Sequence, residues 1–337
     1  MGLTRFPHGI SSFGVPVFGS GFGWKKESTT YFVDGTDGGD QNNGKSPDWA
    51  FATVQQALST ANAYDVIYIL ENSFSDTDPA TYKGTAANHT IAVANTGLAI
   101  IGVSHAGQIG YPMTPYLMGM DATETPIFTV NAPLVAIENI HFSGGWANAS
   151  TATAGIYAPN STGTTSAVPQ ALSIYNCSFE DLEGATPQSL TGTGGNGGIS
   201  IVGTWYVVIN HCRFRNCVAG ITLISNVSTS VATTMEHCVF YADDDTDVAA
   251  DISTYCQGTS DILVNDMYFA HRCPAYAAGG PARYVSMVGS EEGLITNCHL
   301  GNEATLTTGD NGTGMLAPNG VGWGSNYCFA ALMADAG

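Results

Sequence analysis

The chain is constrained most by a six-residue phrase that recurs along it: an aliphatic residue, any residue, Asn or His, Cys, any residue, then Phe. The third positions of its copies fall at 139, 176, 211, 237, 266 and 297, which gives gaps of 37, 35, 26, 29 and 31 residues. A repeat near 30 residues with variable length indicates one structural unit that carries loops of different sizes. The copies, some with one position altered, occupy residues 137–142, 174–179, 209–214, 235–240, 264–269 and 295–300.

A short run of β-branched residues, bounded by Gly, Asn, Ser or Asp and without helical periodicity, precedes the phrase in several repeats. Such runs occur at 198–202, 220–224, 251–255 and 283–287. Each repeat therefore contains at least two short strands and no crossover helix. Strands that return in the same direction without a helix stack as the coils of a parallel β-solenoid.

Inward and outward positions cannot alternate regularly through the phrase. The aliphatic residue and the Asn or His share one parity, while Cys and Phe share the other. Because Asn tolerates left-handed backbone, this slip predicts a corner at the third position. Cys and Phe then both face inward and stack on their counterparts at the ~4.8 Å strand spacing. We expect a buried, reduced thiol stack, since Cys behaves there as a small hydrophobe. Its members are Cys177, Cys212, Cys238 and Cys298.

The chain ahead of the repeats resembles the opening of pectin-lyase-like right-handed β-helix proteins. The matching residues are 31–34, 39–40, 43–47 and 51–57, where apolar residues at 51, 54, 57 and 58 also have amphipathic-helix spacing. The resemblance implies an all-β fold, a single-stranded right-handed parallel β-helix over 29–330. A capping helix near 50–62 would cover its first coil, because an open end would recruit other chains. Residues 331–337 would form a short tail.

Residues 1–28 are rich in Gly, Ser, Pro and aromatic residues and lack strand or helix periodicity. One interpretation is a flexible leader; the interpretation we favour is an extended arm that orders on a partner. The candidate partner-binding residues are Arg5, Phe6, Pro7, Phe13, Phe18, Phe22 and Trp24. Residues 4–10 are similar to the "T-R-F-P-x-G" openings of tailed-phage virion proteins, which implies attachment to a virion.

The charge of the chain excludes several classes of partner. It has 28 acidic and 9 basic residues, for a formal net charge of −19. Nucleic-acid binding needs Lys and Arg to displace counterions, so it is not expected, and anionic membrane surfaces are disfavoured for the same reason. The sequence shows neither a membrane-spanning stretch nor a secretory apolar region, so export by a signal peptide is not indicated.

Two arginines and one acidic run are the main candidates for chemistry on the solenoid. Arg213 and Arg215 flank Phe214 and are predicted to point outward together. A pectate-lyase-like elimination would use such a base beside carboxylates that hold calcium, but a chain at −19 repels acidic polysaccharides. The pair can equally form surface ion pairs. The acidic run is a calcium candidate or a solvated turn. Its carboxylates are those of Asp243, Asp244, Asp245 and Asp247.

Motifs of known hydrolases are not assembled in the sequence. Glycoside hydrolases need two carboxylates about 5 to 9.5 Å apart. The set of motifs typical of polygalacturonases is not assembled, since a D-D pair occurs only within Asp243 to Asp245 and neither G-H-G nor R-I-K is found. The eight His residues show no HExxH spacing. We therefore predict no catalytic residue and no cofactor, apart from the calcium that the acidic run leaves open.

These features lead us to expect a structural protein of a tailed-phage virion and not an enzyme. The expected role is capsid decoration at the capsid surface, as a homotrimer whose residues 1–28 bind the major capsid protein or another virion protein. Nearly uncharged loops at 143–170 and 181–197 would suit contacts between subunits. Two alternatives stay open: a tailspike-type polysaccharide depolymerase and a glycan-binding adhesin.

Overall fold

The chain forms a right-handed parallel β-helix, as the sequence predicts. The computed structural model describes residues 11–12, 15–16, 28–70, 90–103, 116–118, 126–143, 154–159, 171–180, 182, 197–215, 217, 219–224, 232–241, 252–257, 261–269, 283–288, 293–300, 314–316, 321–324 and 327–328. Three parallel sheets wrap around one hydrophobic core, and successive coils add one strand to each sheet. The right-handed path is the one that parallel crossovers almost always take.

Sheet 1 begins at the N-terminal end of the solenoid. Within each coil, a strand of sheet 1 is followed by a strand of sheet 2 and then by a strand of sheet 3. Sheet 1 contains β3 (Thr30–Val33), β4 (Val66–Ile69), β6 (Ala99–Gly102), β9 (Ala136–Glu138), β12 (Ser173–Tyr175), β15 (Val207–Asn210), β18 (Thr233–Glu236), β21 (Ile262–Asn265), β24 (Gly293–Thr296) and β27 (Val321–Gly324). Sheet 2 contains β7 (Tyr116–Met118), β10 (His141–Ser143), β13 (Ser178–Glu180), β16 (Arg213–Arg215), β19 (Val239–Tyr241), β22 (Tyr268–Phe269), β25 (His299–Leu300) and β28 (Tyr327–Cys328). Sheet 3 contains β5 (Ile91–Val93), β8 (Phe128–Val130), β11 (Ala154–Ala158), β14 (Gly197–Val202), β17 (Ala219–Ile224), β20 (Ile252–Gln257), β23 (Arg283–Val288) and β26 (Gly314–Leu316).

Each repeat therefore supplies three strands. The phrase provides the end of a sheet 1 strand, the corner and a sheet 2 strand, and the β-branched run ahead of it is the sheet 3 strand. Strand β11 lies where the sequence indicates only loop. The strand β11 falls within 143–170, and its composition, Ala-Gly-Ile-Tyr-Ala, carries little strand signal.

The corner between sheets 1 and 2 is left-handed in all six copies of the phrase, which confirms the predicted slip. The corner residues, with φ of +51° to +57°, are Asn139, Asn176, His211, His237, Asp266 and Asn297. Asn side chains also pair from one coil to another. The Asn176 amide donates to Asn139 Oδ1 at 2.5 Å, and its backbone N–H donates to the Asn210 carbonyl at 3.0 Å. Side chains and backbone thus join the coils at the same point.

A second left-handed corner precedes the strands of sheet 1, and the sequence does not predict it. Its residues have φ of +53° to +69° and are Tyr64, Leu134, Ala171, Tyr206, Ala232 and Asp261. For ordinary residues this backbone costs about 1–2 kcal/mol each. Bonds to the next coil hold the conformation, as where the Ala171 N–H donates to the Trp205 carbonyl at 2.8 Å.

The interior of the corner confirms the predicted stack of thiols and phenyl rings. Adjacent rings have centroids 4.7–5.1 Å apart and interplanar angles of 6–17°. They belong to Phe142, Phe179, Phe214, Phe240 and Phe269. The four stacked cysteines, Cys177, Cys212, Cys238 and Cys298, are free and at most 1% exposed. Burial raises the pKa of Cys298 to about 11, so this thiol stays protonated at neutral pH.

A helix covers the first coil at the predicted place. A 3₁₀ turn at Pro47–Trp49 precedes α1 (Val54–Thr60), whose N-cap Thr53 accepts a hydrogen bond from the Gln56 backbone. The apolar face of α1 joins the core through Val54, Ala57 and Leu58. The helix therefore closes the apolar interior at this end.

The N-terminal arm is described only in part. It contains a short antiparallel pair, β1 (Ser11–Ser12) and β2 (Val15–Pro16). The proposed anchor residues Arg5, Phe6, Pro7, Phe13, Phe18, Phe22 and Trp24 lie outside the described residues, as do the tail 331–337 and the acidic residues Asp243, Asp244, Asp245 and Asp247.

The left-handed corner predicts an unusual order of stability among variants of Asn176. Asn176→Gly should leave the protein more stable than Asn176→Ala by about 1 kcal/mol, because Gly adopts positive φ without strain. At Ser173, in the extended strand ahead of the corner, the order should reverse, with Gly worse than Ala by about 0.5–1 kcal/mol. Urea unfolding followed by circular dichroism measures both pairs. The same order at both positions would contradict the role of the corner.

Candidate functional site

The outer face of sheet 2 carries an island of polar side chains on three adjacent strands. In β10, β13 and β16 the central Phe points inward, so the residues on either side of it point outward. The strand register places His141, Ser178 and Arg213 in one row and Ser143, Glu180 and Arg215 in the next. The predicted outward direction of Arg213 and Arg215 is therefore confirmed.

Four of these residues form a continuous chain of polar contacts, which we call the relay cluster: Ser178, His141, Glu180 and Arg215. Ser178 Oγ lies 3.0 Å from His141 Nδ1, and His141 Nε2 lies 3.3 Å from Glu180 Oε2. Arg215 Nη1 donates to the other carboxylate oxygen, Glu180 Oε1. Both ring nitrogens and both carboxylate oxygens therefore have a neighbour within the cluster.

The relay cluster is buried at one end and open at the other, although it faces outward. His141 is 2% exposed and Ser178 is 5% exposed. The Glu180 side chain is 13% exposed and that of Arg215 is 34% exposed. Contacts among buried groups are stronger than the same contacts in water, because the surrounding dielectric is low.

The ionisation of Glu180 determines how the cluster is protonated. Burial alone would raise the pKa of Glu180, but the contacts with His141 and Arg215 outweigh it and leave that pKa below its usual value. Glu180 is therefore a carboxylate at neutral pH. Because a carboxylate oxygen can only accept a hydrogen bond, its place beside Nε2 favours the tautomer with an N–H there, and in that tautomer Nδ1 is the acceptor for the Ser178 hydroxyl.

A carboxylate, an imidazole and a hydroxyl in this order can activate the hydroxyl as a nucleophile. The imidazole accepts the hydroxyl proton, and the carboxylate holds the ring orientation and stabilises the imidazolium that forms. No short motif in the sequence indicates this arrangement. His141, Ser178 and Arg213 each occupy the fifth position of the phrase, the position treated there as variable.

A second group of side chains lies along the outside of the corner between sheets 1 and 2. We call it the corner track, and it consists of Tyr175, His211, His237, Asp266 and Tyr268. The rings of Tyr175 and His211 have centroids 5.3 Å apart, and those of His211 and His237 are stacked at 4.7 Å. His237 Nε2 lies 3.3 Å from Asp266 Oδ2. Tyr175 and Tyr268 are each 42% exposed. The track thus presents rings and hydrogen-bonding groups along the solenoid axis.

The described part of the chain contains no group of three or more His, Cys, Asp or Glu side chains that could hold a metal ion. His211 and His237 lie at corners, as their position in the phrase predicts. Calcium binding by Asp243, Asp244, Asp245 and Asp247 stays a prediction, because these residues are not among those described. Within the described residues, no helix has the length and apolar character needed to cross a membrane.

Comparison with solved structures identifies the fold. A GH136 lacto-N-biosidase from Eubacterium ramulus is similar with a TM-score of 0.56 and 13% identity, over 89% of this chain and 56% of that enzyme. The pectate lyase Pel9A matches with a TM-score of 0.44 and 10% identity, over 93% and 80% of the two chains. ORF18 of Geobacillus virus E2 matches with a TM-score of 0.44 and 13% identity, over 90% and 62%. No family model and no curated protein sequence matches the chain.

The chain thus spans little more than half the length of the lacto-N-biosidase. The neighbours are pectin-lyase-like parallel β-helix proteins, which confirms the fold that the resemblance implied.

The prediction that the chain is not an enzyme is wrong. Structural neighbours of this solenoid are enzymes, the lacto-N-biosidase among them. The prediction rested on missing family motifs and scarce cations. In a solenoid, however, reactive side chains from coils 35 or more residues apart come together at strand spacing, as His141 and Ser178 do, so a short motif is not needed.

Acid titration should distinguish Glu180, whose pKa is lowered in the folded protein, from Glu138, whose pKa is raised there. Because the pKa of Glu180 is lowered by folding, its stabilisation is present above about pH 4.3 and is lost as pH falls through the folded-state pKa. Glu180→Gln should be less stable than wild type at pH 7, with the gap closing in acid. Burial raises the pKa of Glu138, so Glu138→Gln should be more stable than wild type at pH 7, again with the gap closing in acid. Urea midpoints between pH 3 and 7 measure both; gaps of the same sign would contradict this account.

Proposed function

We propose that the protein is a glycan-active β-helix protein of a tailed-phage virion, of the tailspike type. The observation that carries the proposal is the relay cluster on the outside of the solenoid. A Ser–His–Glu–Arg chain that is buried at its serine and histidine is not needed to stack coils, since the core already provides the apolar contacts between them. Buried and paired titratable groups on an outer face are typical of functional sites.

A glycan substrate is supported by the layout of the outer surface. The row that contains Ser178 and Arg213 continues through Val239 to Tyr268, three strands from Ser178. At the ~4.8 Å strand spacing this is roughly 14 Å, a length suited to an extended polymer. Exposed rings beside amides, imidazoles and carboxylates offer both flat apolar surfaces and hydrogen bonds.

The charge of the chain and the name of one structural neighbour narrow the substrate further. A net charge of −19 repels polyanions, so we propose a neutral or weakly charged polysaccharide. The lacto-N-biosidase, which shares the fold, bears the name of a carbohydrate-active enzyme. Its similarity to this chain is in fold, and the substrate of this chain is inferred from the surface described above.

Attachment to a virion is the second part of the proposal. Residues 1–28 hold five aromatic residues and three of the nine basic residues of the chain, a composition suited to docking on a partner. Their opening is similar to those of tailed-phage virion proteins. We propose that this arm binds the major capsid protein or a tail protein, and that the solenoids associate as a homotrimer.

Binding to a glycan should depend on the exposed rings of the corner track. The purified chain, incubated with a panel of neutral bacterial surface polysaccharides, should bind at least one of them and release a product. Tyr268→Ala should weaken that binding roughly threefold to tenfold by removing ring contacts. Trp49→Ala removes another exposed ring, one in the 3₁₀ turn at the capped end, and serves as the matched control. Failure to bind any member of the panel would contradict a glycan-directed function.

Removal of residues 1–28 should abolish attachment to virions while leaving the solenoid folded, because the first strand of the solenoid begins at Thr30. Co-sedimentation with virus particles measures attachment, and circular dichroism measures the β-sheet content. A truncated chain that still sediments with particles would refute the role of the arm.

A further inference from the structure

We propose that Ser178, His141 and Glu180 form an esterase centre that removes O-acyl groups from sugar hydroxyls. The substrate class rests on the proposed glycan-directed function, whereas the hydrolytic centre rests on the geometry of the relay cluster alone. The serine is the nucleophile, the histidine its general base, and the glutamate the group that orients the histidine. Arg215 is a positioning residue, because it contacts Glu180 and not the reacting atoms.

The contacts run in the direction that this chemistry requires. Ser178 Oγ and His141 Nδ1 are 3.0 Å apart, within the reach needed for proton transfer. His141 Nε2 lies 3.3 Å from Glu180 Oε2, an ion-pair distance outside hydrogen-bond geometry, so a small rotation of the ring would complete the bond that orients it. The glutamate is held in turn by Arg215 at its second oxygen. Nucleophile, base and orienting acid are thus each fixed by the next group.

The same cluster is unsuited to cleaving a glycosidic bond. That reaction uses two carboxyl groups, and in both stereochemical forms one of them must donate a proton. The six outward positions of β10, β13 and β16 contain a single carboxyl group, Glu180, and its lowered pKa keeps it ionised. Acyl transfer from an ester needs only one carboxylate, which stays ionised throughout.

The register also supplies a cation beside the nucleophile. Arg213 follows Ser178 in the outward row, on the side opposite His141, and its side chain is exposed. A guanidinium at this position can donate hydrogen bonds to the ester carbonyl oxygen as negative charge develops there.

The reaction proceeds in two balanced steps. In the first, Ser178 Oγ attacks the carbonyl carbon as its proton passes to His141 Nδ1; the bond to the sugar oxygen then breaks, and that oxygen takes the proton from His141. In the second, water gives a proton to His141 and attacks the acyl carbon. Ser178 leaves with that proton, and a carboxylic acid is released. The co-reactants are the ester and water.

The experiment uses the full-length chain, p-nitrophenyl acetate and an O-acetylated polysaccharide from the binding panel. Acetate release is followed by NMR, and a fluorophosphonate probe detects an activated serine by mass spectrometry. We expect wild type to hydrolyse both esters and to carry the probe on Ser178. Ser178→Ala and His141→Gln should lower kcat/KM by on the order of 10³-fold or more, and Ser178→Ala should abolish labelling.

Two controls separate chemistry from folding. Ser200→Ala removes a buried serine from the outer face of β14 in sheet 3, away from the relay cluster, and should leave activity unchanged. Arg215→Lys, which keeps the charge but changes its contact with Glu180, should retain labelling of Ser178 while reducing kcat. Wild-type circular dichroism in each variant shows that the solenoid is folded.

The outcomes also separate this inference from the proposed function. A folded wild-type chain that binds a glycan but neither releases acetate nor labels at Ser178 would overturn the esterase centre and leave glycan recognition standing. Hydrolysis of p-nitrophenyl acetate with labelling at Ser178, but without binding to any glycan, would support the centre and contradict the glycan-directed function. Equal activity in wild type and Ser178→Ala would overturn the inference regardless of binding.

Discussion

The left-handed residue between sheets 1 and 2 is the constraint on which the rest of this structure depends. A single residue at φ near +55° turns the chain from one sheet to the next and shifts its inward face by one position. Because of that shift, Ile174 and Cys177 both reach the core although they are three residues apart, on opposite sides of the corner. Without it, the outward polar row would turn inward, where unpaired polar groups would cost several kcal/mol.

The corner also fixes where chemistry can occur. Since every copy of the phrase has the same bend, its fifth positions form a straight outward row from His141 through Ser178 and Arg213. These positions lie outside the apolar core, so their side chains can differ from coil to coil. The relay cluster arises from that freedom: its serine, imidazole and carboxylate come from two coils that the stacked phenyl rings hold at a fixed spacing.

The core and the overall fold could be predicted from the sequence because their signals are local and repeated. Six copies of one phrase identify the corner, the thiol stack and the direction of the strands. The second corner was missed because Leu134, Ala171 and Tyr206 have no preference for left-handed backbone; bonds to adjacent coils impose it. The relay cluster has no local signal because its members come from three different coils, with His141 37 residues ahead of Ser178 and Glu180 35 residues ahead of Arg215. Aligning the fifth positions of the phrase would have brought them together.

The relay cluster also has a mechanical consequence, since the Ser178 hydroxyl and the His141 imidazole belong to adjacent coils of the solenoid. Stretching the solenoid along its long axis, or slipping one coil past the next, would lengthen the 3.0 Å contact between Ser178 Oγ and His141 Nδ1. Any activity of this centre would then report directly on the tension carried by the particle or polymer to which the protein is tied.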